Sequence, residues 1–70
     1  MPLALAPFNK ELTIRRVGAE EKTKKHLQEM GIAEGQKVTV LSSTAGNVIL
    51  VVLEGRVCLD KQLASKILVA

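Results

Sequence analysis

The chain has 70 residues, enough for one domain. A domain of that size buries only about 60% of its unfolded surface and has little core volume to give up to a catalytic cleft, which favours a binding module over an enzyme. Lys and Arg number 10 against 7 Asp and Glu, a net charge of +3 with both signs interspersed, and Phe8 is the only aromatic. The first is the pattern of a solvated surface; the second removes the stacking platforms of single-stranded nucleic-acid binders and the aromatic grooves that hold proline-rich peptides.

The first ten residues, MPLALAPFNK, are apolar with two prolines. They predict a short extended segment with Leu3 and Leu5 on one side, then a turn from Pro7 to Lys10. ELTIRRV follows, with Leu12 and Ile14 alternating against Thr13 and Arg15, a strand with one buried face that Gly18 ends. Residues 19–30, AEEKTKKHLQEM, are the helix candidate. Ala19, Thr23, Leu27 and Met30 share a stripe, and Glu20 with Lys24 and Glu21 with Lys25 are acid-first i, i+4 pairs.

Gly31 suits the position after a helix C-terminus, where a left-handed backbone is cheap only for glycine. Ile32 then folds back onto Leu27 and is pinned into the core. Gly35 fits the third position of the turn AEGQ, which needs a positive φ. QKVTVLSS is the next strand, with Val38 and Val40 on one face. Gly46-Asn47 is a hairpin turn pair, NVILVVL a strand, EGR with Gly55 a further tight turn, and VCL a short strand. DKQLASK predicts a helical turn near residues 60–65 capped by Asp60, and ILVA is the last strand. These elements predict a mainly β fold, a small β-barrel with one helix inserted early, in a single domain over residues 1–70.

Two stretches, HLQEMGIAEGQKVTVL and GRVCLDKQLASKILV, resemble the FeoA family, small cytosolic proteins of bacterial ferrous iron uptake. Leu27, Met30, Gly31, Ile32, Gly35, Val38 and Val40 match that family's helix end and following strand. Gly55, Leu59, Ala64, Ile67 and Val69 match its C-terminal part. The sequence departs from the pattern at Glu34, where proline is common, and at Cys58, where a small residue such as alanine is usual. The resemblance implies an SH3-like barrel. It also implies an accessory, regulatory role exercised by protein contact with a FeoB-type membrane transporter. The same barrel occurs at the C-terminus of DtxR-like metal-dependent repressors, so a metal-responsive domain is an alternative reading.

The residues themselves name no chemistry. One His and one Cys, His26 and Cys58, cannot supply a tetrahedral site, nor the two histidines and carboxylate of a ferrous one, within a single chain. No metal or cofactor site is therefore expected, although a site shared between chains stays open. Cys58, between Val57 and Leu59, is expected to be a small core hydrophobe. No nucleophile–base set or phosphate loop is present, so no enzyme is expected. With one cysteine, no intrachain disulfide can form. MPLALAPFN lacks the basic start of a signal peptide, and no run reaches about 20 apolar residues. A cytoplasmic protein without membrane insertion is the expectation.

Two binding readings remain. Lys10, Arg15, Arg16, Lys22, Lys24, Lys25 and Lys37 could form a basic face for nucleic acid, against which the missing aromatics and the balancing Glu20 and Glu21 weigh. Alternatively, VILVVL, residues 48–53, is apolar on both faces, and a barrel has room inside for one. The outward set, Ile49 and Val51 or else Leu50 and Val52, is expected beside Ile32 and Ala33. Lys24, Lys25, Gln28 and Glu34 would be its polar rim, and the patch would serve a protein partner or self-association.

Overall fold

The computed structural model describes all 70 residues. Five strands bury residues of one face of the chain: β1 (Glu11–Val17), β2 (Lys37–Thr44), β3 (Asn47–Val52), β4 (Gly55–Leu59) and β5 (Ile67–Val69). They form one antiparallel sheet in the order β4-β3-β2-β1-β5. Leu12, Ile14 and Val17 of β1, Val38 and Val40 of β2, Val48, Leu50 and Val52 of β3, Leu59 of β4 and Ile67 and Val69 of β5 all face inward. A bulge between Ile14 and Arg16 turns two successive arginines outward and returns Val17 to the core. A second irregularity, between Val40 and Ser42, breaks the alternation of β2 at Leu41.

β4 and β5, the two ends of the sheet, do not pair with each other, so the sheet is not closed by hydrogen bonds. A four-residue helix, α2 (Lys61–Ala64), and a 3-10 helix at Leu3–Leu5 pack against the sheet near its two ends. Ala64 and Leu3 enter the core there. Every buried residue is apolar, so the interior holds no polar side chain to be satisfied.

The N-terminal segment differs from expectation. Leu3–Leu5 is helical, with Leu5 N donating to Pro2 O, so Leu3 is buried while Leu5 is 75% exposed. A 3-10 turn places residues two apart on different sides, whereas a strand would align them. Met1 and Pro2 then lie along the outer edge of β5, where the Met1 amine donates to Val69 O at 2.9 Å and Val69 N donates to Met1 O at 2.8 Å.

The main helix, α1 (Glu21–Glu29), starts later than residue 19. Gly18 N donates to Lys66 O at 2.7 Å and keeps the chain on the sheet, leaving Ala19 in the connection. Neither Glu20–Lys24 nor Glu21–Lys25 closes as an ion pair; the one pairing on the helix is His26–Glu29 at 3.7 Å, on exposed side chains. Its C-terminus is a Schellman cap. Gly31 N donates to Gln28 O at 3.0 Å, Ile32 N donates to Leu27 O at 2.9 Å, and Gly31 has φ 91°. Leu27 and Ile32, the apolar pair of that motif, are both in the core. Gly35, φ 89°, is the third residue of a turn closed by Gln36 N to Ala33 O at 3.1 Å, and its own N–H reaches Ile14 O of β1.

Both hairpin turns sit one or two residues earlier than read. Thr44 pairs with Asn47, so the β2–β3 turn is Ala45-Gly46, with φ 53° and 86°, and Asn47 begins the strand. Asn47 is held there because its side chain accepts from Lys61 N at 2.8 Å, tying the hairpin to α2. Val52 pairs with Gly55, so the β3–β4 turn is Leu53-Glu54 with Leu53 at φ 57°. Gly55 is therefore the first residue of β4 and not a turn glycine. Cys58 is also corrected: it is opposite Ile49 on the solvent side of the sheet and is exposed.

Candidate interaction surface

β3 divides into two sets. Val48, Leu50 and Val52 are buried, which leaves Ile49 and Val51 on the outer face. Ile49 is 38% exposed and lies between Ser42 and Cys58; Val51 lies between Thr39 and Arg56. The cross-strand neighbours of both are short or polar, so no aromatic or large aliphatic side chain stands directly opposite them.

The outer strip continues into the turn. Leu53 is 66% exposed, and its Cδ1 lies 2.9 Å from the point where a Cβ on Gly31 would stand. The missing side chain of Gly31 is thus what lets the β3–β4 turn close over the end of α1. Val51, Leu53, Thr39, Lys37 and Glu11 line a shallow hollow of about 260 Å³ on this face. Leu53 went unnoticed in sequence because a leucine after five apolar residues reads as more strand. The signal was the Glu-Gly that follows it, which needs a tight connection directly after Val52.

The remaining expected surface residues are dispersed. Ile32 has no exposure and is not a contact residue; the cap that folds it onto Leu27 removes it from solvent. Ala33 is half-buried and shares a separate hollow of about 210 Å³ with Lys24, Gln28 and Glu34, floored by Val17 and Ile32. Lys25 is exposed and, with Lys22, Lys24 and Glu21, lines a polar groove along α1. Lys24 and Ala33 are therefore together, while Ile49 and Val51 lie on the outer face of the sheet.

No three His, Cys, Asp or Glu side chains converge as a metal-holding group. His26 pairs with Glu29 on α1, and Cys58 stands among Ile49 and the backbone of β3. We expect the purified chain, desalted and assayed by elemental analysis, to carry well under one iron or zinc per molecule. One retained metal per chain that is lost in His26→Ala would overturn this. No helix is long and apolar enough to cross a membrane.

A five-stranded antiparallel sheet with a helix between its first two strands, a short helix before its last and an all-apolar core defines an SH3-like domain. A FeoA domain model matches residues 1–70, and the chain belongs to the FeoA family. The fold is similar to a crystal structure named as an iron uptake regulatory protein (FeoA), at TM-score 0.88 and 23% identity over 99% of this chain and 93% of that one. It is similar to FeoA of Stenotrophomonas maltophilia complexed with zinc, described as an SH3 domain protein and a candidate activating factor of bacterial ferrous iron transport. There the TM-score is 0.82 and the identity 21%, over 100% of this chain and 89% of that one. Iron(II) transport protein A from Clostridium thermocellum is similar at TM-score 0.87 and 18% identity, over 99% of this chain and 44% of that one. No curated protein matches the sequence.

Proposed function

We propose that this protein is a cytoplasmic, non-enzymatic accessory of ferrous iron uptake that acts by docking on the cytosolic part of a FeoB-type transporter. The observation that carries the reading is the family match over residues 1–70. The relative described as a candidate activating factor of ferrous iron transport supports the direction of the role. The outer strip Ile49–Val51–Leu53 supports the mode, since it offers an apolar centre with Lys37, Glu11 and Arg56 around it.

The test is binding of the purified chain to the soluble cytosolic part of such a transporter. Leu53→Asp suits a left-handed backbone position and should leave the fold intact. Both it and Val51→Glu are expected to weaken binding by about tenfold or more, because each sets a carboxylate in a desolvated centre. Binding should change little between low and high salt, since its centre is apolar. If both variants bind as the parent does, the outer strip is not the docking surface. If instead Lys24→Glu with Lys25→Glu abolishes a steeply salt-sensitive interaction, the nucleic-acid reading replaces this one.

A further inference from the structure

The two ends of the sheet are finished differently. The outer edge of β5 is occupied by Met1 and Pro2. The outer edge of β4 is not occupied. A two-residue turn makes its flanking residues, Val52 and Gly55, a hydrogen-bonded pair. Alternation then gives Leu50–Val57 and Val48–Leu59 as the other bonded pairs, and turns the N–H and C=O of Arg56 and Cys58 away from β3. None of those four groups, nor the N–H of Asp60, has a partner elsewhere in the molecule. Arg56, Cys58 and Asp60 are exposed, and Val57 packs on the core but is only half-buried. This is an open strand edge beside an incompletely covered core residue, a template for another strand.

We propose that a second copy of this chain pairs antiparallel along β4, about a two-fold axis at Cys58. An isologous contact requires the edge to complement itself. An axis at Leu59 would set Cys58 against the partner's Asp60, whose carbonyl already accepts from Ala64 N, and charge decides among the other three registers that align the free groups. An axis at Arg56 sets two arginines face to face. An axis at Val57 sets Glu54 against the partner's Asp60. An axis at Cys58 sets Arg56 against the partner's Asp60 twice, with no like charges opposed. Asp60 accepts from Leu63 N through Oδ1, which leaves Oδ2 for the guanidinium. In the same register Val57 faces the partner's Leu59 on the inner side, extending the core across the seam where β4 and β5 fail to meet. Opposite charges and apolar pairs directly across a ladder are both favourable.

The register is testable because it juxtaposes two native thiols. Bonded antiparallel pairs have Cα atoms about 5.5 Å apart, within disulfide reach, whereas residues one diagonal away lie about 7–8 Å apart. Sedimentation of the reduced chain over a concentration series should show a reversible monomer–dimer equilibrium. Mild oxidation should cross-link the dimer through Cys58, and much more slowly the variant Val57→Cys with Cys58→Ser. Arg56→Glu should weaken the dimer by about tenfold or more, since it replaces two attractions by two repulsions. Cys58→Pro should remove it while circular dichroism stays that of the parent, because proline is tolerated where an edge N–H faces solvent. A chain monomeric up to about 1 mM, or a dimer indifferent to both Arg56→Glu and Cys58→Pro, would overturn the proposal. Preferential cross-linking at Val57→Cys would overturn its register. Transporter binding enters none of these measurements.

Discussion

Gly31→Val is expected to destabilise the fold by about 3 kcal/mol, read as a fall in Tm of about 12–24 °C for a domain of this size. Two causes add. A side chain held in the left-handed region costs about 1–2 kcal/mol, more when β-branched, and Gly31 sits at φ 91°. The new Cβ would also stand 2.9 Å from Leu53 Cδ1 and 3.3 Å from Val52 Cγ2. Leu53 is an exposed side chain and can move; Val52 is buried and cannot without disturbing β3. Gly31→Ala brings the same Cβ and so the same contacts, without the β-branching and γ-methyls of valine, so about 2 kcal/mol is expected. Gly35 gives the internal comparison. Its φ is as unusual, at 89°, but a Cβ there meets nothing within 4 Å, so Gly35→Ala should show the backbone cost alone. Thermal or denaturant unfolding of the three variants separates strain from crowding. A Tm for Gly31→Val equal to that of the parent would mean that α1 does not end in this cap.

Leu50→Glu is expected to abolish folding, whereas Ile49→Glu, one residue away, should leave a folded protein with the parent's circular dichroism. Leu50 is wholly buried between Val40 and Val57. A carboxylate there has no partner, and an unpaired buried charge costs several kcal/mol. A domain of 70 residues has only about 4–10 kcal/mol to lose. Ile49 points to solvent between Ser42 and Cys58, so its replacement loses a modest apolar area and buries no charge. The opposite result, with Ile49→Glu unfolded and Leu50→Glu tolerated, would mean that β3 is inserted with its faces exchanged, a slip of one residue in register.

What the sequence could say depended on how local the determining physics was. The cap at Gly31 was legible because every part of it, the stripe residue Leu27, the glycine and the returning Ile32, lies within six positions. β1 and β2 were legible from alternation that needs no tertiary information. The turns were misplaced where a rule about residue preference competes with pairing register. Gly46-Asn47 is a favoured turn pair, yet the Asn47 side chain is drawn to Lys61 N of α2, a contact 14 residues away that fixes Asn47 in the strand. Leu53 takes a positive φ that its residue type disfavours, and the Leu53–Gly31 packing that accompanies it was invisible from one strand alone. Gly55 then looked like the turn residue only because it is a glycine. The two faces of VILVVL could not be ranked by hydropathy, since both are apolar. Of the candidate surface, Ile32 was misassigned because one residue cannot both complete the helix cap and meet a partner, and the core claimed it.

The bond between Met1 and Val69 spans 68 positions of sequence, and the pairing of β1 with β5 is similarly non-local. The meander β2–β3–β4, by contrast, is closed by two turns of two residues each. Loop-closure entropy therefore orders the assembly in time: the meander can gain its contacts cheaply, while the seam built from Met1, β1 and β5 must wait for most of the chain to be in place. The same seam is then the place where the native state opens first. Its release would uncover Ile67, Val69 and Leu3 together while the three-stranded remainder persists. Two populations of amide protons follow from one hydrogen-bond pattern, a slow set in β2 and β3 and a faster set in β5.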